Sequence, residues 1–288
     1  MQLPLTGAWF CKTISPWLMP WLYAAIWLVL LPLRRRGKNP PNLENLLGEY
    51  PTSLYPILAL LLERRLYEET APPQCNSSLN YGIEPLRWQP AESQAMRGEQ
   101  LTDDLASLPL ETASVDLYRL NNIIHQREDR QTVLTEAARV VRPGGLLQLT
   151  DNTAEWVESN WTVWLARKLG KHQLADRLRD DKLRSTNQIL VPSLDWWAQL
   201  DDPNWELVEA TPFFSCLSFR LSSLFESLNF KQGGPAPVWL ESRVTRFAPV
   251  RGLYRALIGD IAKTLQHRDQ ELVDKGGSSF LFVTLRRR

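Results

Sequence analysis

The chain is poor in the residue types that usually advertise chemistry. Its three cysteines, Cys11, Cys75 and Cys216, stand far apart and at no metal-ligand spacing, so they are read as reduced structural thiols. Its three histidines are equally dispersed, and no metal site is expected. A net charge of +1 leaves no basis for nucleic acid as the main partner. The absence of internal repeats and low-complexity tracts excludes a solenoid or a fibrous array.

What the chain does have is length and tryptophan. At 288 residues it can bury a full α/β core with elements to spare. Of its 12 tryptophans, Trp9, Trp17, Trp21 and Trp27 lie near the N-terminus, and Trp156, Trp161, Trp164, Trp196, Trp197 and Trp205 crowd one later region. Tryptophan suits a membrane interface or an apolar pocket with one polar edge, and it also fills cores.

Trp17 to Leu33 carries no charge and is followed at once by Arg34-Arg35-Arg36 and Lys38. A helix of that length reaches about 25 Å, a little short of the roughly 30 Å hydrocarbon layer. Pro20 starts or kinks it. The run ends in arginines rather than small residues, unlike a cleaved leader. It is expected to span once or to lie in one leaflet, with the basic cluster holding the following domain on the cytoplasmic side. The bland alternative is a buried hydrophobic helix. Residues 1–50 are therefore read as anchor and linker, and 51–288 as the main domain.

In that domain Leu54 to Tyr67 reads as an amphipathic helix, Ser78 to Tyr81 as a short strand, Val115 to Leu120 as a strand and Asp129 to Val141 as a helix, with Asp129 as its N-cap. Pro143 ends that helix, Gly144 and Gly145 are expected to supply positive φ, and Leu146 to Thr150 reads as a buried parallel strand. Asp195 to Leu200 reads as a short helix. Trp205 to Ala210 and Ser279 to Leu285 read as strands, the latter entered through Gly276-Gly277. Between them residues 214–275 form an insertion with helices expected at Leu217 to Leu228 and Leu253 to Gln266.

Asp104, Leu108-Pro109, Ser114-Val115-Asp116, Ile124-His125-Gln126 and Glu136-Ala137-Ala138-Arg139-Val140-Val141-Arg142-Pro143-Gly144-Gly145 follow one another in a fixed order. In order and spacing this segment resembles the class I S-adenosylmethionine-dependent methyltransferases, in particular the group containing the ubiquinone and menaquinone methylases. The resemblance implies an α/β fold: a Rossmann-like sheet whose last strand runs antiparallel, here with a shortened first half, a helical insertion (214–275) capping the substrate pocket, and an N-terminal hydrophobic helix.

The resemblance also implies site residues. Asp104 and Leu105 match the position that bonds and packs the adenine ring. Asn121 and His125 match the region where cofactor and substrate meet, with His125 the one base candidate. The family's glycine-rich turn is Asp/Asn-x-Gly-x-Gly, and its nearest counterpart is Leu79-Asn80-Tyr81-Gly82-Ile83-Glu84-Pro85, in which Gly82 takes the first glycine position and Glu84 stands at the second. In a second register Glu84 ends the next strand and bonds the ribose hydroxyls, but that requires a glycine turn among residues 58–65, where there is none.

Two functions stay open on these residues. One is methyl transfer from S-adenosylmethionine to a small, lipophilic acceptor at the membrane. The other is an inactive methyltransferase-like binding or assembly protein at the membrane.

Overall fold

In a computed structural model of the protein, the residues described are 43–49, 54–70, 75, 77–82, 104–186, 194–200, 202–229 and 248–288, together with Ala24, Ala25 and Leu28, which are helical. The rest of the Trp17–Leu33 run lies outside them, as do Glu84 and residues 83–103 as a whole. Among the described residues no helix is long and apolar enough to cross a membrane.

The chain divides into two compact units: Met1–Leu62 with Leu217–Lys275, and Glu63–Cys216 with Gly276–Arg288. In the first, α1 (Leu43–Glu49), the start of α2 (Leu54–Glu69), α8 (Cys216–Asn229) and α9 (Ala248–Gly276) are helical throughout. Gly259 of α9 lies against Leu47 of α1, where an added Cβ would come within 3.0 Å of Leu47 Cδ1. Arg255 donates to the Glu44 carbonyl at 3.2 Å, and Tyr55 meets Phe219 edge-on at 6.0 Å.

The second unit is a five-stranded mixed α/β sheet, as the sequence predicts. Its strands are β1 (Ser78–Gly82), β2 (Val115–Asn121), β3 (Val141–Asn152), β4 (Trp205–Ser215) and β5 (Ser278–Arg287), in the order β1-β2-β3-β5-β4. β1, β2 and β3 pair in parallel, and β5 runs antiparallel between β3 and β4. Helices α3 (Arg130–Val140), α4 (Glu155–Glu158), α5 (Trp161–Lys168), α6 (His172–Ser185) and α7 (Leu194–Ala198) complete the unit.

Every residue of β2 is buried, as befits a parallel strand covered on both faces. Tyr118 and Leu120 point into the core that α3 fills with Val133, Leu134, Ala137, Ala138 and Val140. Each large aliphatic side chain so buried stabilises the fold by roughly 1.5–3 kcal/mol. Trp197 and Trp205 belong to this core, and Trp205 Nε1 donates to the Leu134 carbonyl at 3.0 Å. For these two tryptophans core filling is the observed role.

Two local expectations need correction. Asp129 precedes α3, but its side chain makes no cap hydrogen bond. Both its oxygens accept from Arg127, at 2.7 and 2.6 Å, because that bidentate pair outcompetes a single neutral N–H. In the Pro143-Gly144-Gly145 turn, Gly144 has φ +79° and Gly145 does not lie at positive φ. Gly145 is required for closeness instead: an added Cβ would sit 2.7 Å from Val141 Cγ1, 2.8 Å from the Asp116 carbonyl and 2.9 Å from the Arg142 carbonyl. The strand accordingly begins at Val141, opposite Val115, breaks register through the turn and resumes at Leu146 opposite Leu117.

Candidate active site

In a parallel sheet the backbone at the carboxyl ends of the strands is free to hold a ligand, and loops there vary without disturbing the core. Here those ends are Gly82, Asn121 and Thr150 to Asn152, with Gly82 opposite Asn121 and Asn121 opposite Thr150. Just beyond β2, Asn122 adopts φ +56°, a left-handed conformation uncommon outside glycine. Its N–H bonds the Thr150 carbonyl at 2.9 Å, which ties the end of β2 to β3. The chain then makes a single 3-10 turn, Ile124–Gln126, that carries His125.

One face of the sheet ends is polar and tightly bonded. Tyr67, in the second-unit part of α2, is fully buried and donates from its hydroxyl to Asn121 Oδ1. Thr150 Oγ1 reaches the same oxygen at 3.5 Å. Burial, and after it the charge of Glu63, pushes the Tyr67 phenol far above its ordinary value, so it serves only as a neutral donor. The Arg119 guanidinium lies 4.3 Å from the Tyr67 ring centroid and donates to Gln148 Oε1 at 3.0 Å. Gln148 in turn donates to Thr70 Oγ1 at 2.8 Å. Burial lowers the Arg119 pKa.

At the strand tips, His125 and Asp151 form a buried dyad, 2% and 1% exposed, with Nδ1 of the ring bonded to Asp151 Oδ1. Gln126 Nε2 and Asn152 Nδ2 lie 3.2 and 3.4 Å from Nε2 of His125. Amide nitrogens can only donate, so these partners assign the lone pair to Nε2 and the proton to Nδ1. Burial raises the Asp151 carboxyl above its ordinary value, and the His125 contact opposes that rise. Around the dyad, Asp151 Oδ2, Asn152 Oδ1 and Asn122 Oδ1 are buried acceptors with no hydrogen-bond partner among the described residues. Such orphaned groups are costly, and their clustering here marks a place shaped for a donor-rich ligand.

The sequence candidates are distributed unevenly. Asn121 and His125 converge on this site, and Gly82 is aligned with Asn121 through the backbone register. Leu105 is buried in the sheet core. Asp104 is exposed, and its Oδ1 accepts the Ala106 N–H at 3.0 Å as a turn cap. Tyr67, Thr150, Asp151 and Asn152 were not singled out from sequence. A carboxylate closing a buried strand, as in Leu149-Thr150-Asp151, was the available signal for Asp151. Tyr67 left none, because its partner lies 54 positions away. No group of His, Cys, Asp and Glu able to hold a metal occurs among the described residues.

The Glu136/Arg139 pair of the motif proves architectural. Arg139 bonds Glu136 at 2.7 and 2.8 Å and donates to the carbonyls of Leu108 and Leu110 at 3.0 and 2.8 Å, while Glu136 accepts the Leu108 N–H at 2.7 Å. Helix α3 thus clamps the Leu108-Pro109-Leu110 loop. The Arg139 hydrogen bond holds the Glu136 carboxyl below the usual carboxylate range, against a smaller effect of burial.

A parallel βαβ core with polar strand tips defines a Rossmann-like α/β protein. Residues 84–149 match the family model described as a methyltransferase domain. Comparison with curated proteins gives no match. Among solved structures the chain is similar to a Bacillus halodurans C-125 protein described as a methyltransferase, at 14% identity and TM-score 0.43 over 78% of this chain and 97% of that one. A Galdieria sulphuraria protein described as a sarcosine dimethylglycine methyltransferase is similar at 12% identity and TM-score 0.41, over 78% and 82% of the two chains. Geranyl diphosphate C-methyltransferase of Streptomyces coelicolor A3(2) is similar at 8% identity and TM-score 0.33, over 68% and 55%.

Proposed function

We propose that the protein transfers a methyl group from S-adenosylmethionine to a small, lipophilic acceptor of the quinone or lipid type, at the cytoplasmic face of a membrane that the Trp17 to Leu33 run contacts. The observation that carries this reading is the buried His125–Asp151 dyad, ringed by unpartnered acceptors, at the strand tips of a sheet whose chain matches a methyltransferase-domain model over 84–149.

The residues present fit the cofactor. Its ammonium and ribose hydroxyls are donors, and Asp151 Oδ2, Asn152 Oδ1 and Asn122 Oδ1 are acceptors without partners. Gly82, Glu84, Asp104, Leu105 and Asn121 are proposed to hold it. When bound it supplies an electrophilic methyl on a sulfonium. Alignment provides most of the rate in such a displacement. The protein's own part in proton handling falls to His125, whose Nε2 lone pair, once the Gln126 and Asn152 amides swing away, takes the proton of an acceptor hydroxyl while Asp151 bonds the Nδ1–H and balances the charge that forms. Tyr67 holds the Asn121 carbonyl oxygen and so fixes which way its amide points.

Calorimetric titration of the purified chain with S-adenosylmethionine tests the reading: saturable heat, competed by S-adenosylhomocysteine, is expected, and its absence refutes it. A second reading, an inactive binding or assembly protein, is favoured by one specific observation, the use of Asp104 Oδ1 as a turn cap. In that reading the cofactor is no longer bound and Asp104→Ala leaves the native role untouched, whereas methyl transfer expects Asp104→Ala to weaken cofactor binding.

A further inference from the structure

Helices α5 and α6 form a hairpin whose tip is rigid and chemically two-sided. Val163 and Ala166 of α5 pack on Ala175 of α6, with Leu178 beside them. Gly170, at φ +69°, closes α5, and the Lys171 N–H bonds the Ala166 carbonyl at 2.9 Å, a Schellman-type end. The acids nearby are already engaged: Arg167 bonds Glu158 at 2.6 and 2.8 Å and Asp176 at 3.2 Å. Lys168, Lys171 and Arg177 are exposed and make no ion pair among the described residues. Between them Leu169 and Leu174 stand 65% and 50% exposed, two of the few large apolar side chains so placed among the described residues. A shallow cavity of about 540 Å³ opens here, lined by Gly170, Lys171, His172, Gln173, Leu174 and Arg177.

Lys171 is the N-cap residue of α6, whose opening turn has no acid and no side-chain cap hydrogen bond. Cations at a helix N-terminus oppose the helix dipole. The tip therefore places positive charge where the fold disfavours it and apolar side chains where water disfavours them. An anionic lipid surface relieves both at once: its headgroups meet the lysines and arginine, and its acyl boundary takes the leucines.

We infer that the α5–α6 tip is a second, peripheral membrane contact, docking on anionic lipid through Leu169 and Leu174 flanked by Lys168, Lys171 and Arg177. It is separate from the Trp17 to Leu33 run and does not depend on cofactor binding. The contact is tested on the full chain by sedimentation with phosphatidylcholine vesicles, with or without about 30% phosphatidylglycerol. Whatever the Trp17 to Leu33 run and its Arg34-Arg35-Arg36 flank contribute is common to wild type and variants, so the quantity read is the change between them in the ratio of apparent Kd on neutral to that on anionic vesicles. For the wild type this ratio is expected above about tenfold and to collapse in high salt. The K168Q/K171Q/R177Q variant should lower it about tenfold, leaving the share of Arg34-Arg35-Arg36 and Lys38, and Leu169→Ser with Leu174→Ser should weaken anionic binding about tenfold, both with unchanged circular dichroism. A wild-type ratio near one, which would leave an acidic protein as the occupant, overturns the inference. So does a triple variant that keeps the wild-type ratio, or a leucine variant that binds like the parent.

Discussion

At the scale of single residues, the dyad and the Gly145 turn make the sharpest demands. If Nε2 of His125 takes the acceptor's proton, His125→Gln should lower turnover by about 10²–10⁴-fold while cofactor affinity, read by calorimetry, shifts no more than a few-fold. Asp151→Asn should also lower turnover, because the carboxylate that bonds Nδ1–H is lost. Equal losses in binding and turnover for His125→Gln would instead make the imidazole part of the cofactor site. Gly145→Ala should destabilise the fold by about 1–3 kcal/mol, because two of its three close neighbours are backbone carbonyls that cannot move aside. Gly144→Ala meets nothing within 4 Å and pays only for its positive φ, about 1 kcal/mol. Chemical denaturation of the two variants should rank them in that order. The ranking was not legible in the sequence, where the adjacent glycines look alike. Asn121 and His125 were legible because a motif carries them; Tyr67 and Asp151 act through partners brought together by strand pairing, which no local pattern records.

At the scale of elements, the clamp between α3 and the Leu108–Leu110 loop links a motif to stability. Glu136 is held below the usual carboxylate range by Arg139. A group depressed in the folded state contributes stability above its unfolded pKa and loses that contribution as pH falls through the folded value. The melting temperature should therefore drop on acidification from about pH 4.5 downward. Glu136→Gln should flatten this limb and weaken the protein at neutral pH by about 1–2 kcal/mol. A melting curve with an unchanged acid limb would assign that limb to other carboxylates. Elements themselves were read well wherever periodicity and punctuation agreed. Strand β2, helix α3 and the antiparallel last strand stand close to their expected bounds, whereas β3 begins at Val141 rather than Leu146 because the turn residues pair ahead of it. Ends were read less well: α9 reaches Ala248–Gly276, far beyond Leu253 to Gln266, because its polar continuation lacks any breaker before Gly276. β4 runs on to Ser215 through Pro212, which a sheet tolerates on an edge strand such as this one.

At the scale of the whole molecule, the sheet unit is discontinuous in sequence yet continuous in hydrogen bonding. Leu217–Lys275 leaves it after β4 and returns just before β5. The two points of departure are already joined: Ser215 pairs with Ser278, and the Cys216 N–H bonds the Gly277 carbonyl at 3.0 Å. Replacing residues 217–276 by Asn-Gly would therefore connect opposed residues through a two-residue turn of the kind that suits antiparallel strands. Shortening the connection lowers the entropy of closing β4 onto β5 by about 3 kcal/mol. The remaining chain from Glu63 keeps α3, the clamp, the dyad and the Tyr67–Asn121 bond, all within one unit. It is expected to melt cooperatively, with β5 amides among the slowest to exchange, since β5 is paired on both sides. If β5 instead exchanged as fast as loop amides, the sheet would depend on Leu217–Lys275 for its folding, and the inserted helices would be part of the scaffold rather than an addition to it.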